Sequence, residues 1–383
     1  MHLSRRAFMK ASLGVTLISV GGSAFQGCGP YSDAGKGAAF EGWNFPGTET
    51  RPEMLAVAAA ILAANPHNTQ PWLFAVSANR IDVHTDRSRA LGAMDSLLRE
   101  MHLAIGCATE NAVRVAKAYG RRVDVTYEPT PGDETHVVRL ELTPAEKVDD
   151  PFVGVVASRR MNKFAYASVP VPASVLAGLA ALVDDDRTSL RIFTDPASRA
   201  RLRTQSIDAV TAITRDAEMA AASHRWWRQT PEEIAKYRDG LDLDIMGLDG
   251  TTRALGGTQS TVTVEEANGY WIAATEGRHG TGAGYFVIAT RDRNSRTEQI
   301  LAGRLFQRLH LYLTTCGVDA HTLNMLPEMQ DREETTSAAA RPFTKACAEW
   351  VPAGFGFQML TRFGYAFERA FHTPRRALDT VLR

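Results

Sequence analysis

Apolar residues recur at helical spacing in two long stretches of the chain. One stretch runs from Asp95 to Tyr119 and the other from 297 to 317, and glycines follow or end them at Gly120 and Gly317. This spacing predicts two amphipathic helices, since residues three and four apart share one face of a helix. Each helix is expected at the centre of a folded unit.

Shorter runs alternate between apolar and polar residues, which is typical of strands. Ala78 and Asn79 interrupt one such pair of runs and predict a hairpin. Further strands are predicted at 123–128, 136–142, 190–195, 284–290 and 357–367, and further helices at 52–64 and 175–183. Together these elements predict an α+β fold with antiparallel-rich sheets and long central helices.

The two parts of the chain repeat one order of elements. Each contains a helix, a polar loop, a strand and a long central helix that leads to a strand, so we interpret the chain as two diverged copies of one unit. The first half covers 51–150 and the second 151–383, with an insertion at 196–283 in the second. The expected fold is an intramolecular pseudo-dimer, a two-fold dimer fused into one polypeptide.

The N-terminal residues have a different character. Arg5, Arg6 and Lys10 precede a short, glycine-containing apolar stretch, which predicts an export signal at 1–29 and a linker at 30–50. The order Ser4-Arg5-Arg6 with Phe8 resembles a twin-arginine signal. Cys28 is either the lipid acceptor that would anchor the protein to a membrane or a small residue near an ordinary cleavage point.

Composition excludes several classes of protein. Lys plus Arg and Asp plus Glu both number 43, so no net charge favours a nucleic acid. The histidines and cysteines show no metal-binding spacing, and no serine-hydrolase motif occurs. Cys107, Cys316 and Cys347 are expected to be buried thiols. We therefore expect neither a metal site nor a catalytic acid, base or nucleophile that spacing alone would identify.

Polar and basic clusters are the candidate chemistry. Residues 65–72 read NPHNTQPW directly after an apolar helix, which is either an ordinary turn or a functional loop. The stretch 159–163 reads RRMNK, and 374–376 reads PRR. Guanidinium groups bind phosphate through paired hydrogen bonds, so convergent arginines suit a phosphate monoester, although each cluster alone also suits a solvated surface.

These clusters, in this order, resemble the nitroreductase family of FMN-dependent flavoproteins. The loop resembles the family's Asn-x-Gln-Pro-Trp motif, RRMNKF resembles its basic N-terminal motif, and the C-terminal stretch resembles its glycine-then-basic ending. The twin-arginine start and the segment AGRLFQRLHLYLTTCGV resemble the exported, fused-dimer branch related to the Acg proteins. The resemblance covers nearly all of residues 50–383.

The resemblance implies which residues hold FMN. Arg159, Arg160 and Lys163 would hold the phosphate together with Arg375 and Arg376. The loop residues Pro66, His67, Asn68 and Gln70 would contact the ribityl chain and the ring, and Asn324 lies near where the family presents a main-chain N–H to the flavin. Met161 replaces the family's serine and removes a hydroxyl from the phosphate site. Because the loop occurs only in the first half and the arginines only in the second, one composite site is expected, and the pseudo-symmetric site should be inactive.

The function implied is an FMN-dependent oxidoreductase of nitroreductase type. It would transfer a hydride from NADH or NADPH through FMN to a flat, electron-poor small molecule such as a nitroaromatic or quinone. The first alternative is a flavin storage protein that residues 196–283 close as a lid without turnover. The second is a cofactor-free surface lipoprotein that contacts partners. We expect export by the twin-arginine machinery, a periplasmic or outer-face location, and a monomer or weak homo-oligomer.

Overall fold

The computed structural model describes residues 34–257 and 261–383. The expected signal at 1–29, with Cys28, and the first residues of the expected linker lie outside the described residues. Eleven α-helices and eight strands occur in the described ranges, which confirms the α+β class. No helix among them is long and apolar enough to cross a membrane.

The helices and strands alternate irregularly along the chain. The helices are α1 (Pro52–Ala60), α2 (Arg99–Ala118), α3 (Ala173–Ala181), α4 (Pro196–Arg215), α5 (Ala217–His224), α6 (Pro231–Tyr237), α7 (Gly250–Gly256), α8 (Val264–Glu276), α9 (Arg296–Thr315), α10 (Met325–Thr335) and α11 (Pro342–Ala348). The strands are β1 (Trp72–Ser77), β2 (Arg80–Thr85), β3 (Arg121–Tyr127), β4 (His136–Pro144), β5 (Thr188–Phe193), β6 (Gly284–Thr290), β7 (Asp319–Thr322) and β8 (Gly356–Gly364).

The strands form two four-stranded sheets with one topology. The first sheet has the order β1-β2-β4-β3 and the second β5-β6-β8-β7, and every pairing is antiparallel. The register shifts at Val83/His84 between β2 and β4, and at Ile288/Ala289 between the corresponding strands β6 and β8. A 20-residue helix occupies the corresponding place in each unit: α2 connects β2 to β3 in the first, and α9 connects β6 to β7 in the second.

The two central helices cross at a pair of glycines. A Cβ atom on Gly106 would lie 2.1 Å from the carbonyl oxygen of Ile300, and one on Gly303 would lie 2.0 Å from that of Leu103. The backbones therefore approach more closely than any side chain allows. Apolar residues of both sheets join around this crossing into one buried core.

Polar contacts also cross between the central helices. Glu110 of α2 accepts hydrogen bonds from Arg304 Nε (3.0 Å) and Arg308 Nε (3.0 Å) of α9. Gln307 Nε2 donates to Asn111 Oδ1 at 2.9 Å. The two halves of the chain are thus joined by a buried interface of apolar and charged groups.

The end of the chain returns to the first sheet. Leu382 forms a parallel bridge with Phe74 on the free edge of β1, and the Arg383 N–H donates to the Phe74 carbonyl at 2.8 Å. Residues 365–383 therefore run from the second sheet across to the first. This path brings the basic C-terminal residues next to the loop that follows α1.

Several boundaries differ from the sequence predictions. The helix predicted at 52–64 ends at Ala60. The amides of Leu62 and Ala63 bond three residues back instead of four, as in Leu62 N–H to Ala59 O (3.1 Å). The strand β7 was not predicted, since four residues are too short for a clear alternation. The segment expected as a linker contains a 3₁₀ helix, Ala38–Asn44, with Trp43 buried.

Candidate functional site

A cavity of about 1480 Å³ lies between the two halves. Its wall includes α2, the loop after α1, residues 159–165, the C-terminal tail and the helices of 220–279. Pockets for single small molecules usually measure about 300–1,000 Å³. The volume therefore has room for more than one such molecule.

Two buried arginines define one end of this cavity. The guanidinium carbon of Arg375 lies 4.6 Å from the ring centroid of Trp43, and that of Arg159 lies 5.9 Å from it. His372 stacks on the same indole at 4.1 Å with the rings parallel. The three cavity-lining side chains therefore gather around one aromatic residue.

The residues directly after the C-terminal end of α1 supply oxygen acceptors to both arginines. Arg159 Nη2 donates to the Leu62 carbonyl at 2.8 Å, and Arg375 Nη2 donates to the Ala63 carbonyl at 3.3 Å. Carbonyls just beyond a helix have no partner in the helix and carry its partial negative charge. These contacts orient the guanidinium groups without neutralising them.

Neither arginine has an acidic partner within the described ranges. The Nε atoms of Arg159 and Arg375 are buried and have no hydrogen-bond acceptor. Burial lowers the pKa of Arg159 to about 10 and moves that of Arg375 well below its usual value, and the two charges repel each other. An arginine in a protein keeps its proton, so two buried cations of this kind require an anion as counter-charge.

Arg160 adds a third positive charge to the same end. Its Nη1 donates to the Ser158 carbonyl at 2.7 Å, and burial lowers its pKa to about 10. The nearby arginines and burial also lower the pKa of His372 to about 3, so its imidazole is neutral. The positive charge of this end is therefore carried by Arg159, Arg160 and Arg375.

The loop after α1 is held in an uncommon backbone conformation. His67, Asn68 and Gln70 all have positive φ angles, 46°, 53° and 52°. Such angles are rare outside glycine and persist where surrounding contacts enforce them. Asn65 Oδ1 closes the loop by accepting from the Gln70 N–H at 2.8 Å.

Asn68 connects this loop to the C-terminal tail. Its Oδ1 accepts from Arg375 Nη1 at 2.6 Å, and its Nδ2 donates to the Pro374 carbonyl at 2.9 Å. Pro66, His67 and Asn68 all line the cavity. The loop of the first half and the arginines of the second half therefore share one crevice.

Gln70 and Arg376 lie outside the cavity wall, unlike the other predicted residues. Gln70 Oε1 accepts from the Arg376 N–H at 2.8 Å, and Gln70 Nε2 donates to the Arg238 carbonyl at 2.8 Å. The Arg376 guanidinium contacts the Gln70 carbonyl and lies 3.6 Å from Asp86. Their polar atoms tie the loop to the tail, and their expected contact with the ligand stays a prediction.

Lys163 also lines the cavity but has different neighbours from the arginines. Within the described residues its ammonium donates only to the Met246 sulfur, at 3.4 Å, and burial lowers its pKa to about 8. Its charge acts on His67, whose pKa burial and Lys163 together lower to about 3, and on His279 and His321. The predicted basic group is therefore divided between two regions of one cavity.

Asn324 lines the wall at the N-terminus of α10. Its amide is already engaged, since Nδ2 donates to Glu100 Oε1 at 2.7 Å and Oδ1 accepts from the Leu360 N–H at 3.1 Å. Its carboxamide is therefore part of a protein contact. The predicted residue is at the cavity, but its side chain supports the wall.

Sequence reasoning missed Trp43, His372 and the carboxylates of the wall. A tryptophan in an otherwise small and polar stretch was the available signal for Trp43, whose Nε1 donates to the Thr373 carbonyl at 2.8 Å. Glu100 and Glu328 carry no motif. Glu100 on α2 and Glu328 on α10 come to one cavity wall only in the folded chain, so local spacing does not identify them.

The helical segment between β5 and β6 covers the loop. Ser223 Oγ lies 2.9 Å from His67 Nε2, and the Gly240 N–H donates to the Asn68 carbonyl at 3.3 Å. Trp227 and Tyr270 from this segment line the cavity.

The described residues contain no group of three or more side chains suited to a metal ion.

Comparisons with known proteins agree with the nitroreductase resemblance. The chain is 30% identical to a "Putative NAD(P)H nitroreductase" of Mycobacterium tuberculosis over 149 residues, 38% of this chain and 43% of that protein. The aligned stretch therefore covers less than half of that relative's length. This chain is also 23% identical over 343 residues to the "Putative NAD(P)H nitroreductase acg" of the same organism, and the alignment covers 85% of this chain and 93% of that protein. No family model matches.

Solved structures with similar regions have low scores. An FMN-dependent nitroreductase from Mycobacterium smegmatis in complex with NADPH has a TM-score of 0.34 at 18% identity, over 59% of this chain and 94% of that one. A nitroreductase with bound FMN from Desulfitobacterium hafniense has a TM-score of 0.34 at 11% identity, over 60% and 95%. Scores below 0.5 do not establish a shared fold.

Proposed function

We propose that the protein is an FMN-binding oxidoreductase of nitroreductase type, which uses NADH or NADPH as electron donor. The observation that supports it best is the pair Arg159 and Arg375, two buried guanidiniums whose Nε atoms have no partner and which have no acid beside them among the residues that the structure describes. A phosphate monoester would supply the negative charge that this pair lacks and the oxygen acceptors that its two Nε atoms lack. The similarity to proteins named as NAD(P)H nitroreductases supports the same assignment.

The residues of the wall fit the rest of FMN. Arg159, Arg160 and Arg375 would hold the phosphate, and the strained backbone of Pro66–Asn68 would present main-chain groups to the ribityl chain. Lys163, whose ammonium has no oxygen acceptor in the described part of the chain, would hold an electron-rich edge of the ring system. When bound, FMN supplies hydride and electron transfer, and the chain's own residues bind, orient and shield it.

The remaining volume accommodates an electron acceptor. A cavity of about 1480 Å³ exceeds what one mononucleotide requires, and Trp227, Tyr270 and Phe371 give its outer part flat apolar surfaces. We propose a flat, electron-poor acceptor such as a nitroaromatic or quinone. The segment 196–283 would act as a lid that excludes water while the acceptor is bound.

We further propose that the chain is a fused dimer with one working site. Counted from the crossing glycines Gly106 and Gly303, Arg304 corresponds to Cys107, which lines the large cavity. At Arg304 the crevice measures only about 250 Å³, and the two carboxylates of Glu110 and Asp184 already neutralise Arg304 and Arg308. The pseudo-symmetric position therefore has neither the space nor the free charge to hold a mononucleotide.

Anaerobic spectroscopy of the purified protein tests this function. We expect a yellow protein whose flavin absorbance bleaches with NADPH and returns when a nitroaromatic or quinone is added. Flavin that is bound but never reduced would support storage under a closed lid instead. A colourless protein that takes up no added FMN would contradict both.

Export by the twin-arginine route remains part of the proposal. That route carries folded proteins, and so it suits a chain that encloses a cofactor before it leaves the cytoplasm. We expect replacement of Arg5 and Arg6 by lysine to retain FMN-loaded protein in the cytoplasm. Cell fractionation with flavin fluorescence measures this, and unchanged export would exclude the route.

A further inference from the structure

A group of carboxylates lies at the N-terminal end of α2, where Asp331 of α10 forms an ion pair with Arg99 of α2. Asp331 is fully paired, since it accepts from Arg99 Nε at 2.8 Å and also binds Arg293. Asp95 accepts from the N–H groups of Glu100 and Met101, both at 2.9 Å. These two acids therefore have structural partners.

The other two carboxylates face the cavity. Glu100 accepts from Asn324 Nδ2, whereas Glu328 Oε2 is buried and has no partner, with only 5% of the residue exposed. Both residues line the cavity wall. A buried oxygen without a hydrogen bond is costly, so the wall at Glu328 is adapted to a ligand that supplies one.

This acidic end is separate from the arginine end. Glu100, Leu103, Ala104 and Cys107 line the cavity from one face of α2, and the charge of Arg159 acts on Cys107. Seven residues along a helix span about 10 Å. A ligand whose phosphate is held by the arginines can therefore extend along α2 to the carboxyls.

Burial and neighbouring charges raise the pKa values of Glu100 and Glu328 at this end. Burial, with Asp95 and Asp331 adding like charge and Arg99 opposing, raises the pKa of Glu100 to about 7. For Glu328 burial raises the pKa well above its ordinary value; Glu100, Asp95 and Asp331 add to this, and Arg99 opposes it. Glu328 therefore favours its protonated form more strongly than an ordinary glutamate does, on a side chain that faces the cavity.

We propose that Glu328 is the proton donor to the electron acceptor, with Glu100 beside it as a second carboxyl. This inference rests on the proposed oxidoreductase function. A quinone becomes a hydroquinone when it takes up one hydride, with two electrons, and one proton. When bound, FMN would supply the hydride that it has received from NADH or NADPH. The proton would leave Glu328 for the quinone oxygen, and the resulting carboxylate would regain a proton from solvent.

The test separates proton-coupled from simple electron transfer. Holoprotein is reduced with dithionite under anaerobic conditions and mixed rapidly with a benzoquinone or with ferricyanide, which accepts electrons singly and needs no proton from the protein. We expect Glu328→Gln to slow reoxidation by the quinone about 100-fold, the lower range for loss of a general acid. Reoxidation by ferricyanide should not change. Glu328→Asp retains an acid and should recover part of the quinone rate.

Glu334→Gln is the matched control, because Glu334 is on the same helix but bonds Asn294 and Arg293 away from the cavity. Its rates should equal those of the wild type. Infrared spectra of the flavin-free protein give a readout independent of turnover: a protonated carboxyl band at neutral pH that Glu328→Gln removes.

The outcomes distinguish this inference from the proposed function. If reduced wild-type protein passes no electrons to the quinone, the oxidoreductase proposal fails and this one with it. If the wild type reacts and Glu328→Gln reacts equally fast, only the proton-donor role is refuted. A missing carboxyl band in the wild type would also refute it.

Discussion

Replacing Arg159 by methionine tests the anion site most directly. The change keeps much of the side-chain length and removes the charge that no acid neutralises. Within residues 34–257 and 261–383, Arg159 donates one hydrogen bond, to the Leu62 carbonyl, and its Nε has no acceptor. We therefore expect the variant to fold but to lose affinity for the phosphate of FMN.

The magnitude follows from the contacts that are lost. A hydrogen bond to a charged group contributes about 1.5–3 kcal/mol. Because about 1.4 kcal/mol corresponds to a tenfold change in affinity, the Kd for FMN should rise about 10- to 150-fold. Riboflavin lacks the phosphate, so its Kd should change little. The thermal midpoint of the flavin-free protein should stay level or rise, since a buried cation without a counter-charge has been removed.

Fluorescence titration of flavin-free protein with FMN and with riboflavin gives the two affinities. The ratio of the two Kd values in Arg159→Met, compared with wild type, isolates the phosphate contribution. Arg201→Met is the control, because Arg201 forms an exposed pair with Glu349 far from the cavity wall. An unchanged FMN-to-riboflavin ratio in Arg159→Met would refute the assignment of the phosphate site.

Two further predictions concern the interface between the halves. Gly106→Ala should lower the free energy of unfolding by about 1–3 kcal/mol or more, because the new Cβ would overlap α9, whereas Gly269→Ala in α8 meets open space and should be neutral or slightly stabilising; urea denaturation of both compares them. Glu110→Gln should cost about 3–5 kcal/mol, since three arginines lose their shared carboxylate. Arginines lower the pKa of Glu110 to about 2, so its stabilisation is complete above about pH 4.5 and is lost as the pH falls towards 2; a wild-type stability profile that matches the variant's over this range would contradict it.

Long periodic elements were predictable from the sequence because their signal depends only on local spacing. The two central helices occur at Arg99–Ala118 and Arg296–Thr315, close to the predicted limits. The helix α2 begins later than predicted, because Asp95 accepts hydrogen bonds from the first turn from outside the helix and residues 96–98 are non-helical. Alternation also identified the hairpin of β1 and β2.

The composition of the site was only partly predictable. Arginines and asparagines in distinct motifs marked Arg159, Arg375 and Asn68, which the structure brings together. Gln70 and Arg376 belong to the same motifs but support the loop from behind, and spacing cannot distinguish the two sides of a loop. The position of Glu328 in the cavity wall depends on how α10 is placed in the folded chain, which local sequence spacing does not determine.

The path of the C-terminal tail has a consequence for biosynthesis. The cavity wall needs Arg375, and the edge of β1 receives Leu382, so the cavity is incomplete until residues up to Leu382 have left the ribosome. The first sheet and its helices can fold earlier, while the remainder is still being translated. Capture of the proposed mononucleotide would therefore have to follow synthesis of both halves of the chain.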